Sequence, residues 1–305
     1  MDTVAIPSKR TASAAARFRR GLYPYVWITP AYLIFGVFTL LPLAAGLALS
    51  LVTWDGIHAV RWEGINNYIQ VLQDQAFWQA LIHNVIYAVG TVAGKIVIAL
   101  ALAVLLNRAL PGRAFFRTIL FMPVVMSFVV VGLIWSWIYN YDFGLLNAIL
   151  SFLGLQAGKQ DWLGNPSLAL GALIVVDMWK WFGFHMVIFL AGLQSIPNEL
   201  YEAARIDGAN AWQSFRRVTV PLLKGVMMVN VLLATSGAFN VFDLVYVMTE
   251  GGPVKSTDVA MLHIYTQAFQ YYQFGYSAAM SYVLLIVVSI VSLILIRVLR
   301  HERYL

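Results

Sequence analysis

Six apolar blocks in this sequence are too long to belong to a soluble core. They run roughly Tyr25–Val52, Ala80–Leu106, Thr118–Tyr139, Leu168–Gly192, Gly225–Met248 and Tyr276–Ile296. Each reaches the length of about 20 residues that a helix needs to cross a bilayer. The fifth carries no charge from Gly225 to Phe242, whereas the second holds Lys95 and the fourth holds Asp177 and Lys180. None shows the two-residue alternation of a membrane barrel strand, so helix is the state that satisfies every backbone N–H and C=O inside its own segment. Only 11% of the chain is charged and 61% is hydrophobic, where soluble domains carry about a quarter charged residues. A soluble enzyme with one polar shell is excluded, and so is a disordered chain, which would be poor in apolar residues. The absence of Cys removes disulfides, Cys-ligated zinc and thiol chemistry. The expected fold is an all-α polytopic membrane protein with six transmembrane helices.

The basic residues orient it. Lys9, Arg10, Arg17, Arg19 and Arg20 precede the first block, and Arg108, Arg113 and Arg117 lie between the second and third. Arg205, Arg216, Arg217 and Lys224 lie between the fourth and fifth, and Arg297, Arg300 and Arg303 follow the sixth. The opposite side has only Arg61, Lys159 and Lys255. Cytoplasmic loops collect Lys and Arg, so both termini are expected in the cytoplasm, with residues 1–24 a cytoplasmic segment and 25–305 the membrane domain. This topology accounts for the net charge of +6 without nucleic acid. Arg19-Arg20 admits a twin-arginine export reading. However, the first block is about twice a usual signal-peptide core and runs into Trp54 and Asp55 without a small-residue cleavage pattern. An uncleaved first span is expected. Trp54, Trp62, Trp78, Trp135, Trp137 and Trp162 sit near span ends or in outward loops, as headgroup anchors or as a surface for an extracytoplasmic partner. No inverted repeat is visible, which weighs against a secondary carrier.

The segment 193–224 is too long for a connector, since helix–helix links usually need about 2–8 residues. Ser195 and Pro197 read as a helix start, with Glu199 and Glu202 in or near the first turns, where the helix dipole favours carboxylates. Gly208 reads as the stop, because Gly takes the left-handed conformation without a Cβ penalty. A second short helix around Ala211–Val218 is expected to end at Pro221. Together these predict a cytoplasmic helical hairpin with a small-residue ridge at Ala203, Ala204 and Gly208, open to close approach by another protein. An amphipathic pair lying on the inner leaflet, with Arg216 and Arg217 against anionic lipid, is the alternative.

The string Glu202-Ala203-Ala204, three residues, Gly208, nine residues, Val218-Thr219-Val220-Pro221 resembles the EAA loop of ABC importer permeases, with Val218 and Val220 where the family has Ile and Leu. The resemblance extends over nearly the whole chain to the maltose-permease-like sugar branch. It is carried also by Phe143-Gly144-Leu145-Leu146-Asn147, the run from Asp177 to Pro197, Val247-Met248-Thr249-Glu250-Gly251-Gly252-Pro253 and Phe274-Gly275-Tyr276-Ser277-Ala278-Ala279. It implies a permease subunit of the bacterial inner membrane that translocates a sugar or sugar derivative. It further implies a second homologous permease, a cytoplasmic ATPase dimer that binds ATP and Mg, and an extracytoplasmic solute-binding protein. The coupling hairpin would then use Glu202, Ala203, Ala204, Asp207, Gly208 and Pro221 against the ATPase. A permease for a non-sugar or phosphorylated solute, or an ion-coupled carrier, is the alternative reading.

The chain offers no catalytic set or cofactor site of its own. Gly90-Thr91-Val92-Ala93-Gly94-Lys95 falls short of a phosphate-binding loop, which needs four residues between the glycines and Ser or Thr after the Lys. The five histidines, at 58, 83, 185, 263 and 301, show no metal-ligand spacing. Charges inside spans are functional candidates. Asp177 and Lys180 share a helix face and can pair with each other, whereas Lys95 either snorkels or meets a neighbouring subunit. Trp181 and Phe184 share a face. The segment Lys180-Trp181-Phe182-Gly183-Phe184 resembles the sugar-lining stretch of maltose-type permeases, and the family also places substrate contacts around Asn240 and Asp243. Lys180, Trp181, Phe184, Asn240 and Asp243 are therefore the substrate-path candidates. For each of them, packing or a hydrogen bond to a neighbouring helix is the competing role.

Overall fold

A computed structural model describes residues 25, 27–108, 111–155 and 158–301, with side chains through 298. The basic cluster from Lys9 to Arg20, Arg303 and the side chain of Arg300 lie outside the described residues. The chain runs α1 (Trp27–Ser50), a short ribbon β1 (Val52–Thr53) and β2 (Arg61–Trp62), α2 (Asn66–Gln73) and α3 (Gln75–Asn107). It continues through α4 (Arg113–Val125), α5 (Phe128–Ile138), α6 (Leu145–Phe152), α7 (Pro166–Gln194), α8 (Asn198–Ile206) and α9 (Ala211–Leu222). The last elements are α10 (Lys224–Phe239), α11 (Asp243–Met248), α12 (Ala260–Tyr265) and α13 (Phe274–His301). The ribbon pairs Val52 with Trp62 and Thr53 with Arg61, antiparallel.

Among the described residues, four helices are long and apolar enough to cross a membrane alone: α1, α3, α7 and α13. Two further stretches are bent pairs: one holds the third expected span, and the other joins α9 to α10, where the fifth expected span begins. α4 and α5 meet at 100°, and α9 and α10 at 68°. Six spans result if each pair counts as one. Neither the Thr118–Tyr139 block nor the Gly225–Met248 block is one continuous helix. Pro123 lies inside α4, where it removes a backbone donor and its ring clashes with the preceding turn. Ser127 then restarts the chain as the extended N-cap of α5, its side chain accepting from Val130 N at 3.3 Å. In the fifth block, α10 has 16 residues, about 24 Å at 1.5 Å per residue. Asn240–Phe242 then break the helix before α11 begins.

α3 and α7 form the central pair. Asp74 caps α3 by accepting from Ala76 N at 2.9 Å and Phe77 N at 3.3 Å, and Asn165 caps α7 with Pro166 in its first turn. Small residues let the two approach: Gly90 sits against Ile174 and Gly94 against Met178. One cluster of buried side chains, including Phe77, Tyr87, Leu173, Leu244 and Met280, joins α3 and α7 to α11 and α13. A second, around Ala99, Ala103, Met186, Phe189 and Leu223, carries the pair on to the base of the α8–α9 hairpin. α1 packs on α13, where the Tyr282 hydroxyl donates to the Leu43 carbonyl. Its other faces expose Trp27, Tyr32, Leu33, Phe38 and Leu41, as suits a helix that meets lipid.

The end of the bundle opposite the α8–α9 hairpin is held by polar contacts. Asn67 donates to the carbonyls of Ser50 and Val52, at 2.9 and 3.0 Å. Tyr276 donates to Asp74 at 2.7 Å, and His263 lies 2.9 Å from Asp258. Burial works against the Asp74 carboxylate, but the Tyr276 hydroxyl and the amides of Phe77 and Ala76 outweigh it and hold its pKa below the usual value.

Candidate functional site: a cavity at the broken spans

The α4–α5 elbow, the break at Asn240–Phe242 and one side of α7 line a common cavity of about 340 Å³. Its wall includes Trp181, Phe184, Asn240 and Asp243, four of the five substrate-path candidates, together with Phe128, Lys95 and Asp177. Trp181 and Phe184, three residues apart on α7, meet edge to face with ring centroids 5.7 Å apart. Phe128, the first residue of α5, lies 6.2 Å from Trp181. This makes an aromatic wall, and apolar faces of that kind suit the C–H face of a sugar ring. Asn240 caps the end of α10, where its Nδ2 donates to the Ser236 carbonyl at 2.8 Å. Asp243 begins α11, is exposed to the cavity side, and has no hydrogen-bond or ion-pair partner among the described residues.

The intramembrane charges pair differently from the expectation. Asp177 meets Lys95 of α3, Nζ to Oδ2 2.5 Å, with the residues 4% and 2% exposed. It does not pair with Lys180. Residues three apart on one helix share a face, but here Asp177 reaches α3 while Lys180 reaches α4. The Lys180 ammonium, on a residue 2% exposed, donates to the carbonyls of Pro123 (3.3 Å), Val124 (3.3 Å) and Met126 (2.6 Å). It also lies 4.7 Å from the Phe128 ring centroid and 5.2 Å from that of Trp181. Lys180 therefore sits behind the cavity wall. Lys95, read from sequence as snorkelling or facing another subunit, belongs to the wall instead. Phe128 was not a candidate at all. Opposite charges in two separate spans were the available signal for the Lys95–Asp177 pair, since buried charges seek one another. Deeper in α7, His185 Nδ1 lies 2.8 Å from Asn230 Oδ1 of α10.

The hairpin of α8 and α9 projects from the other end of the central pair. Gly208 has φ +80° and closes α8: Gly208 N donates to Arg205 O and Ala209 N to Ala204 O, the two bonds of a Schellman stop. Asn210 and Gln213 then form a reciprocal capping box. Tyr201 Oη and Thr219 Oγ1, 3.0 Å apart, tie the two arms. Contrary to expectation, Ser195 does not start α8; it ends α7, donating to the Gly192 carbonyl at 2.7 Å, and Pro197 takes the cap position. Pro221 does not end α9 either. A π-turn over Phe215–Thr219 shifts the bonding so that Val220 N reaches Phe215 O, the helix continues through Pro221, and the bend falls at Leu223. Glu202, Ala203, Asp207 and Gly208 are exposed, and Ala204 is half-buried. Beside them Ile206 is 86% and Trp212 66% exposed.

Residues 95–302 match the family described as the binding-protein-dependent transport system inner membrane component. The chain belongs to that family. It is a multi-pass membrane permease of a binding-protein-dependent transport system. This permease is 38% identical over 275 residues to the probable ABC transporter permease protein YurN of Bacillus subtilis, covering 89% of this chain and 94% of the relative. It is 35% identical over 294 residues to the trehalose/maltose transport system permease protein MalF of Thermococcus litoralis, covering 94% and 97%. Its fold matches that of a chain in the crystal structure of a bacterial ABC transporter involved in import of the acidic polysaccharide alginate. That match has TM-score 0.81, with 22% identity over 94% of this permease and 98% of that chain.

Proposed function

We propose that this permease translocates an uncharged sugar, handed over by an extracytoplasmic binding protein, through the cavity at its broken spans. The observation that carries the reading is the cavity wall, with Trp181, Phe184 and Phe128 beside the polar Asn240 and Asp243. Large apolar rings with a few placed polar groups are what a pocket needs to hold and orient a small ligand. The sugar named for MalF points the same way. A phosphorylated or acidic solute fits the wall poorly. Lys95 is already paired with Asp177, Lys180 is spent on backbone carbonyls, and Asp243 would repel an anion.

In this reading both termini are cytoplasmic and the α8–α9 hairpin is the coupling element. Glu202, Ala203, Ala204, Asp207 and Gly208 seat in a partner ATPase that binds ATP and Mg, and Pro221 continues the arm that leads into α10. A second, homologous permease closes the other half of the path. Closure of the ATPase dimer favours one of two packings of the spans, and the hairpin transmits that preference as a lever.

Co-purification tests the hairpin. The chain, tagged and extracted in mild detergent, is expected to bring an ATPase and a second permease. Gly208→Trp is expected to keep membrane insertion and lose the ATPase: an added Cβ meets nothing within 4 Å of its own chain, but at φ +80° the side chain strains the turn between α8 and α9 while its bulk covers the ridge. ATPase recovery at the parental level with Gly208→Trp would remove the hairpin from the coupling role.

Trp181→Ala tests the path. It is expected to impair sugar uptake at least tenfold while ATPase co-purification is unchanged; loss of assembly instead would make Trp181 a packing residue.

A further inference from the structure

We propose that Lys180 is a cation built into the chain to hold the break between α4 and α5. Through that break it positions Phe128 and Trp181 on the cavity wall. The first part rests on the atoms alone, and only its consequence for substrate rests on the cavity reading above.

A helix that stops inside a membrane leaves its last carbonyls without donors, and lipid offers none. α4 stops this way, with a 100° turn into α5. The ammonium of Lys180 has three N–H donors and no acceptor, and three carbonyls of the break, those of Pro123, Val124 and Met126, lie within 3.3 Å of it, the first shared with the backbone N–H of Met126. Its positive charge also meets the negative end of the α4 dipole. In ion-coupled carriers, carbonyls freed by a broken span coordinate a sodium ion or proton. A tethered ammonium fills such a cage permanently, so this break needs no dissolved ion and its geometry is set by the chain itself.

The same charge faces the rings of Phe128 and Trp181, at 4.7 and 5.2 Å, within the range of cation–π attraction. One side of the ammonium thus holds the end of α4, and the other holds the first residue of α5 and the cavity tryptophan. Lys180 itself does not line the cavity. It is a positioning residue, and its loss frees both the elbow and the aromatic wall.

The chain has no Cys, so spin labels at Thr118→Cys on α4 and Leu133→Cys on α5 report the elbow directly in the assembled importer. The parent and Lys180→Arg are expected to give one narrow distance. Lys180→Gln and Lys180→Met are expected to broaden and shift it. Lys180→Ala is expected to recover the parental distance with n-propylammonium and not with n-propanol. In 5-fluorotryptophan-labelled importer, the 19F resonance assigned by Trp181→Phe is expected to broaden in step with the distance.

A parental distance in Lys180→Met, or equal recovery with propanol, would overturn the cation role. A changed distance with an unmoved Trp181 resonance would overturn the positioning role. Should Lys180→Met fail to insert, the arginine variant and the amine-treated alanine variant decide the matter. None of these readings uses a sugar, so a failure of the sugar assignment appears separately, as absence of uptake by the parent.

Discussion

Lys95→Met is expected to destabilise the permease by about 3–5 kcal/mol, the usual cost of removing one partner from a buried ion pair. The lysine and Asp177 are each almost completely buried, and their charged atoms lie 2.5 Å apart between the two central helices. The contact is a close ion pair without good hydrogen-bond aim, so its strength lies in the charges. The carboxylate left behind would stay buried without a cation. The double variant Lys95→Met with Asp177→Leu is expected to regain most of the loss, because well-packed apolar residues in place of a buried pair are often neutral or stabilising. Unfolding of the purified chain in mixed detergent, read by tryptophan fluorescence, measures both. Parental stability of Lys95→Met together with lost uptake would instead make the pair part of the substrate path.

The same pair shows where sequence reasoning stopped. Runs of apolar residues determine that helices form, because the bilayer leaves the backbone no other choice. α1, α3, α7 and α13 were legible on that ground alone. A hydropathy block counts side chains, however, and is indifferent to a break. Pro123 and Ser127 were the available signals for the α4–α5 elbow, and they lay inside a block that looked uniform. Local spacing also predicts local pairs. It placed Asp177 beside Lys180 but could not show that each side chain reaches a different neighbouring helix.

Capping chemistry divides the hairpin in the same way. Gly208 stops α8 as read, since glycine takes the positive φ of this turn without a Cβ penalty. Ser195 and Pro221 play other parts because neighbouring backbone decides how α7 and α9 end. After α7 the chain makes a tight turn, and within α9 a π-turn absorbs the missing N–H of the proline. The aromatic pair Trp181 and Phe184 was legible from helical spacing. Phe128 was not, because only the 100° elbow carries it to the same cavity.

Gly183→Ala is expected to cost roughly 1–3 kcal/mol or more, the penalty of forcing extra volume into a packed interface, and to disturb the cavity as well. A Cβ built on Gly183 falls 2.9 Å from the Leu120 carbonyl carbon, 3.0 Å from Phe121 Cα, and closer still to the Leu120 carbonyl oxygen. These are backbone atoms of α4, so no rotamer change relieves the clash, and α4 itself must recede. Recession draws the carbonyls of Pro123, Val124 and Met126 away from Lys180, one turn along α7. A hydrogen bond to a charged group is worth about 1.5–3 kcal/mol, so the indirect loss is as large as the steric one. Gly94→Ala is the control. Its Cβ also meets a neighbour, but that neighbour is the thioether of Met178, a flexible side chain that adapts to irregular gaps. Unfolding midpoints are expected to separate the two variants, Gly183→Ala well below the parent and Gly94→Ala near it. The Thr118–Leu133 spin-label distance is expected to change only in Gly183→Ala. Equal stability of the two would mean that α4 and α7 can part at this crossing without loss, and Gly183 would then have no role in holding the elbow.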